Sequence, residues 1–425
     1  CHKVDWYPTK RRPGPTLKNL QAKLDRTWVE GWIADPKAFR PDTKMPRFFH
    51  LSNYKSEEII SKSEWGTGRD MLGKEWNEAA VAAISAFLYE SAPKQALPAI
   101  PAGVKEAANA DRGRETFRVA GCLSCHNLGG YPGQDLPTED IAFDENEYND
   151  HGPDLRGVAT KVDEAWLYNW IKDPASYWKE TRMPNLRLTD QEAADITAYF
   201  MQDPDGIFRD QSPAWNPKQS DFKVDVLQEM ARHFYARLGR EELTRRITGE
   251  DEEHRWDQED ALLLAVGEKH VAYSGCFSCH EISGFEEMNP IGVELSTWGS
   301  KTVDKLAWEF RAKILAHENG WDQDTRDEFK HYRENWIGEK LKNPRVFDEE
   351  KVRLPLDRLR MPNFGLNDEE ILALSNFVVG LVNDEVQRAE MVETPEQQAM
   401  NLGMQTVRQN NCMACHVIEP ARVTF

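Results

Sequence analysis

Cys122-Leu-Ser-Cys125-His126, Cys276-Phe-Ser-Cys279-His280 and Cys412-Met-Ala-Cys415-His416 are three copies of one pattern: two cysteines spaced by two residues, then histidine. They use six of the seven cysteines, and the seventh, Cys1, is also followed by histidine, His2. Such tight pairing is not the layout of a disulfide framework. A zinc ribbon would need further cysteine or histidine pairs at ligand spacing. A thioredoxin-like redox pair does not require a histidine beside it.

Cys-x-x-Cys-His is the attachment pattern of c-type haem. The two thiols add across the porphyrin vinyl groups, and one short turn presents both sulfurs to the same edge of the ring. The adjacent histidine then lies under the iron as its proximal ligand. Three copies in one chain carry far more weight than one.

Working outward from each histidine, an internal repeat emerges. A Gly-Pro-x-Leu segment comes first: Gly14-Pro15-Thr16-Leu17, Gly152-Pro153-Asp154-Leu155 and, with valine replacing proline, Gly292-Val293-Glu294-Leu295. A tryptophan-bearing helical stretch that stops at proline follows: Trp28 to Pro36, Trp166 to Pro174 and Trp336 to Pro344, eight residues each time. Then comes Met-Pro: Met45-Pro46, Met183-Pro184 and Met361-Pro362. Pro15 to Met45 and Pro153 to Met183 both span 30 residues. After each Met-Pro, apolar residues at helical spacing (Ile84/Phe87/Leu88, Ile196/Phe200, Ile371/Leu374/Val378) predict a closing helix.

With these residues in place, the repeat resembles the class I cytochrome c family. That resemblance implies an all-α fold of tandem domains, each with a lead helix entering Cys-x-x-Cys-His, a Gly-Pro loop, a methionine loop and a closing helix. It implies His2/Met45, His126/Met183 and His280/Met361 as axial pairs. A soft thioether suits the distal position because it favours Fe(II) and raises the potential relative to a second imidazole. His50, His151 and His270 stand in reserve as ligands. Trp28, Trp166 and Trp336 are candidate donors to haem propionates, or plain core residues. Lys44, Arg182 and Arg360, each just before the methionine, are candidate propionate partners, or solvated charges.

Both ends bear on the count. His2 to Pro15 and His280 to Val293 are both 13 residues, so Cys1 reads as the second thioether cysteine of a motif whose first half is missing. A lipid-bearing N-terminal cysteine and a single-thioether haem are the competing readings. Nine residues follow His416, with no Gly-Pro loop, tryptophan helix or Met-Pro among them, so the sixth ligand of that haem is open. Truncation at both ends accounts for both features, and four haem c groups are expected, on Cys1, Cys122/Cys125, Cys276/Cys279 and Cys412/Cys415.

The expected partition is a first domain over 1–95, a second over 96–205, a charged helical spacer over 206–257, a third domain over 258–390 and the start of a fourth over 391–425. Within the spacer, 224–238 has helical apolar spacing, and 127–151 and 308–335 read as insertions. A chain of 425 residues suits several cores rather than one. Its net charge of −19 disfavours nucleic acid and anionic membranes. No apolar run is long enough to span a bilayer.

These features predict an electron carrier outside the cytoplasm, in the periplasm or on the outer face of a bacterial membrane, where haem attachment takes place. Its expected partners are other redox proteins or subunits of a respiratory or photosynthetic complex. It would have no substrate site of its own, because His/Met coordination leaves iron no open position. The alternative is a peroxidase-like haem enzyme using the fourth haem, next to His416, as an open site.

Overall fold

A computed structural model describes residues 2, 12–40, 43–55, 57–62, 69–92, 97–128, 152–179, 181–209, 221–251, 253, 255–308, 310–351, 353–382 and 394–409. The described residues are mostly helical, consistent with the all-α expectation, and among them is one short antiparallel pair, Ile59–Ser61 with Met71–Leu72. The chain divides into two compact units.

The smaller unit is built on Lys94–Asn216, with Gln21–Asp25 and Gln387–Phe425 assigned to it. Its lead helix, Ala110–Val119, starts where the Asn109 side chain accepts from the Arg112 N–H. Its closing helix, Asp190–Gln202, starts in a reciprocal Thr189/Glu192 capping box. The two cross with backbones almost touching: a Cβ on Gly113 would lie 1.9 Å from the Asp195 carbonyl oxygen. Phe117 seals the crossing against Tyr199 and Phe200. The buried Asp195 carboxylate takes Arg112 at 2.8 Å, Gln191 at 3.0 Å and the Asn109 N–H at 2.8 Å. Burial opposes its ionisation, but these donors outweigh burial and hold its pKa below the usual carboxylate value. The tryptophan helix Glu164–Lys172 is capped by Asp163 and stops before Pro174, which opens the next short turn of helix.

The larger unit comprises Cys1–Leu20, Arg26–Pro93 and Pro217–Val386. It therefore combines the expected 1–95 and 258–390 domains in one body. Its centre is the closing helix Gly73–Ser91 against the lead helix Glu259–Ser274. The run Ala79-Ala80-Val81-Ala82-Ala83 presents small side chains, and a Cβ on Gly267 would lie 2.1 Å from the Ala83 carbonyl oxygen. The 206–257 stretch is not a free-standing spacer. Its helix Val224–Phe234 buries Val226, Leu227 and Met230 completely, while Ile207 and Phe208 belong to the core of the smaller unit. Ser61 and His233 bond the buried Glu229 carboxylate at 2.7 and 3.0 Å. The 308–335 insertion folds as two helices, Arg311–Asn319 and Gln323–Lys330.

A third closing helix, Asp368–Val379, packs on the tryptophan helix Arg333–Lys342 and the Trp298–Ser300 turn. Among the described residues no lead helix covers it, and Leu372 is 63 % exposed. Of the expected fourth domain, the helix Pro395–Gln409 is described; Cys412, Cys415 and His416 lie outside the described residues, as do Cys1 and His151.

Candidate haem sites

Each described Cys-x-x-Cys-His begins at a glycine in the left-handed region, Gly121 (φ +74°) and Gly275 (φ +72°), which ends the lead helix and turns the chain. A single 3-10 turn follows, Cys122–Ser124 or Cys276–Ser278. The histidine N–H closes it by donating to the first cysteine's carbonyl, at 3.0 Å for His126 and 2.9 Å for His280. Burial pushes the Cys122 thiol up to about 11 and the Cys276 thiol up to about 12. These sulfurs are protonated thiols, unlike the low-pKa thiolates of disulfide exchange.

A backbone clasp then sets each ring. In the smaller unit, the Gly152 N–H donates to the Cys125 carbonyl at 2.7 Å, and His126 Nδ1–H donates to the Pro153 carbonyl at 2.7 Å. A Cβ on Gly152 would lie 2.6 Å from the His126 ring, so only glycine permits this approach. With Nδ1 as donor, Nε2 is the nitrogen that keeps a lone pair for a metal.

The same clasp forms in the larger unit, with the partners exchanged relative to expectation. The Gly14 N–H donates to the Cys279 carbonyl at 2.8 Å, and His280 Nδ1–H donates to the Pro15 carbonyl at 2.9 Å. A Cβ on Gly14 would lie 2.6 Å from the His280 ring. His2 Nδ1–H donates to the Val293 carbonyl at 2.8 Å. His280 thus meets the Gly14-Pro15 loop, and His2 meets the Gly292-Val293 loop. Each of these two histidines therefore bonds the glycine loop of the other repeat, whereas consecutive reading of the repeat puts His2 with Gly14-Pro15 and His280 with Gly292-Val293. The lead helix Glu259–Ser274 carries Cys276 to His280 and docks on Gly73–Ser91, and this brings His280 to the first loop. Burial lowers the pKa of both His280 and His2, partly offset by their carbonyl bonds, so both imidazoles are neutral near pH 7.

The methionine loops are half-buried and built alike in two copies. The Met45 N–H donates to Thr43 Oγ1 and the Met183 N–H to Thr181 Oγ1, at 3.3 and 3.2 Å. At the third, Arg345 replaces the threonine, its Nε–H donating to the Met361 carbonyl at 3.1 Å. Stacked tryptophans stand on the helix that precedes each of the first two loops: Trp28/Trp32 and Trp166/Trp170, each 5.2 Å between ring centroids. Trp32 Nε1–H also donates to Met45 Sδ at 2.9 Å. Trp336 stacks on Trp298 and Phe347 and gives its N–H to the Ala307 carbonyl.

Of the remaining candidates, Lys44 and Arg182 are exposed, and Arg360 donates to the Tyr273 carbonyl. His50 accepts from Asn77. His270 is buried among Phe49, Phe234 and Tyr273, and burial lowers its pKa to about 4. Sequence reasoning missed the crossing glycines. Their signal was a glycine nine residues before the first cysteine of each motif, Gly113, Gly267 and Gly403.

This donor set fits a covalent haem: paired thiols in one turn, an imidazole oriented through Nδ1, and a glycine cradle that leaves no room for a side chain beside the imidazole. No curated protein and no solved structure matches the chain. The family model for cytochrome c matches residues 110–202, running from the first residue of the lead helix to the last of the closing helix, so this segment is a cytochrome c domain, with the covalent haem, electron transfer and redox-protein partners that family implies.

Proposed function

We propose that the whole chain is a multihaem electron carrier with four haem c groups, working outside the cytoplasm as a subunit of a respiratory or photosynthetic complex. The supporting observation is the clasp around His126, repeated atom for atom around His280 and, in its histidine-to-carbonyl bond, at His2. Cys122/Cys125, Cys276/Cys279 and Cys412/Cys415 would carry thioethers in pairs, and Cys1 would carry one. His126 with Met183, His280 with Met45 and His2 with Met361 are the axial pairs, and His416 is the proximal ligand of the fourth haem. Bound haem supplies one-electron Fe(II)/Fe(III) exchange. The residues' part is to hold the imidazole lone pair in line, bring the thioether to the opposite face and exclude water with the tryptophan stacks.

The test is intact mass under denaturing conditions, followed by potentiometric titration. Four haem increments and loss of one high-potential component in Met183→Ala are the expected results. Cysteines that carry no mass increment in protein matured with the haem-attachment machinery would sink the reading.

A further inference from the structure

The methionine loops of the larger unit are bound to each other. The Arg47 N–H donates to the Asn363 carbonyl at 2.7 Å, and the Asn363 N–H returns the bond to the Arg47 carbonyl at 2.8 Å. Each of these residues lies two positions after its methionine, in Met45-Pro46-Arg47 and Met361-Pro362-Asn363. Chain geometry therefore holds the two methionine Cα atoms within about 20 Å of each other.

A buried polar cluster locks this joint. Arg345 gives Nη1–H to Asn53 Oδ1 at 3.2 Å, Nε–H to the Met361 carbonyl and Nη2–H to the Arg360 carbonyl. Asn53 donates to Asp348 at 2.7 Å and to the Leu359 carbonyl at 2.8 Å. Arg358 bonds the Asn53 carbonyl and the Glu58 carboxylate. Arg345, Asp348 and Arg358 are each no more than 7 % exposed. Burying charge is costly unless every group is placed and paired, and surface loops that merely touched would not need it.

We infer that the Met45 and Met361 loops form one rigid electron-transfer joint between two haems, in which Arg345 is the positioning residue that ties their potentials together. This rests on the proposed ligands above. With haem held at both sites, one electron would pass from a ferrous to a ferric iron, oxidising the first as it reduces the second, with no bond or proton exchanged. The buried Arg345 guanidinium, bonded to the Met361 and Arg360 carbonyls and to Asn53 in the segment that follows the Met45 loop, favours the reduced form on both sides at once, because low-dielectric surroundings screen it little.

The test is spectroscopic potentiometry of the haem-loaded full chain. In Arg345→Gln, two midpoints should fall together while that of the His126/Met183 haem stays; Arg345→Lys should fall less. A single midpoint moving alone, or all moving equally, overturns the joint. In unmodified protein, flash reduction should show fast equilibration between two haems, slowed at least tenfold in Asn363→Pro, which removes the N–H of the loop bridge. Two haems that titrate independently and equilibrate slowly in unmodified protein also overturn it. Mass analysis of the same samples separates the readings: absent haem on Cys276/Cys279 or Cys1 defeats the ligand assignment, whereas haem present with independent midpoints defeats only the joint.

Discussion

The domain over 110–202 and the larger unit build the same histidine clasp from opposite topologies. In the first, lead helix, Cys-x-x-Cys-His turn, Gly-Pro loop, methionine loop and closing helix follow in order and fold on themselves. In the second, the lead helix and motif come from residues 259–280 while the glycine loop and closing helix come from residues 14–91. The clasp survives because it is made of main-chain carbonyls and amides around a glycine. Any stretch that delivers a glycine and a carbonyl to the imidazole will serve. Local contacts thus set the geometry of a site, and long-range helix packing sets its membership.

The most severe break in that comparison is Gly14→Val. Its side chain would drive into the His280 ring, where even a Cβ lies at 2.6 Å. We expect loss of the native spectrum of the haem on Cys276/Cys279, with the haem on Cys122/Cys125 unaffected. If the haem on Cys1 changed instead, the consecutive pairing would be right and the exchanged one wrong.

A second difference is electrostatic. His270 is 4 % exposed on the lead helix of the larger unit, with a pKa of about 4 against an ordinary 6.5. Its lowered value means that the folded state stays neutral while the unfolded state takes up a proton. Stability is therefore complete above pH 6.5, falls as pH drops from 6.5 to 4, and is level below. The total is roughly 3 kcal/mol. Denaturant unfolding of the larger unit across that window should show the loss, and His270→Gln should flatten it. An unchanged slope in the variant would remove His270 as the cause.

The helix crossings offer a finer contrast. Gly113→Ala should destabilise the 110–202 domain by about 1–3 kcal/mol, since the new Cβ meets a backbone oxygen at 1.9 Å. Gly403→Ala meets nothing within 4 Å and should leave stability level or raise it by about 0.5–1 kcal/mol through helix propensity. Equal losses at both sites, measured by thermal unfolding, would mean that the Pro395–Gln409 helix is also closely packed. The smallest effect is Asn109→Ala, which removes the lead-helix cap of the smaller unit and should cost about 1 kcal/mol there, with no change at the Gln258 end of the other lead helix, where no side-chain cap exists.

Much of this was legible in the residues. Among the described residues, the turns at Cys122–Ser124 and Cys276–Ser278 and the tryptophan helices ending before Pro36 and Pro174 form where their spacing suggested, because each is governed by contacts within a few residues. The glycines at the helix crossings were present as a regular nine-residue offset and went unread, since a glycine inside a helix announces its purpose only when the facing backbone is known. The Arg345, Asp348 and Asn53 cluster had no signal at all: Asn53 lies 292 residues from Arg345 and 295 from Asp348 and joins them only through folding.

Sequence by itself determined the parts of each site: which cysteines could hold a ring, which histidine could sit beneath it, and which methionines could face it. Tertiary structure decided which parts meet. His2 to Pro15 and His280 to Val293 are equally spaced, and the carbonyls that receive the imidazoles carry no residue identity, so nothing local distinguishes one pairing from the other. The choice is made at a distance, where Gly267 lets its helix sink onto the alanine run of Gly73–Ser91 and carries His280 to the first loop.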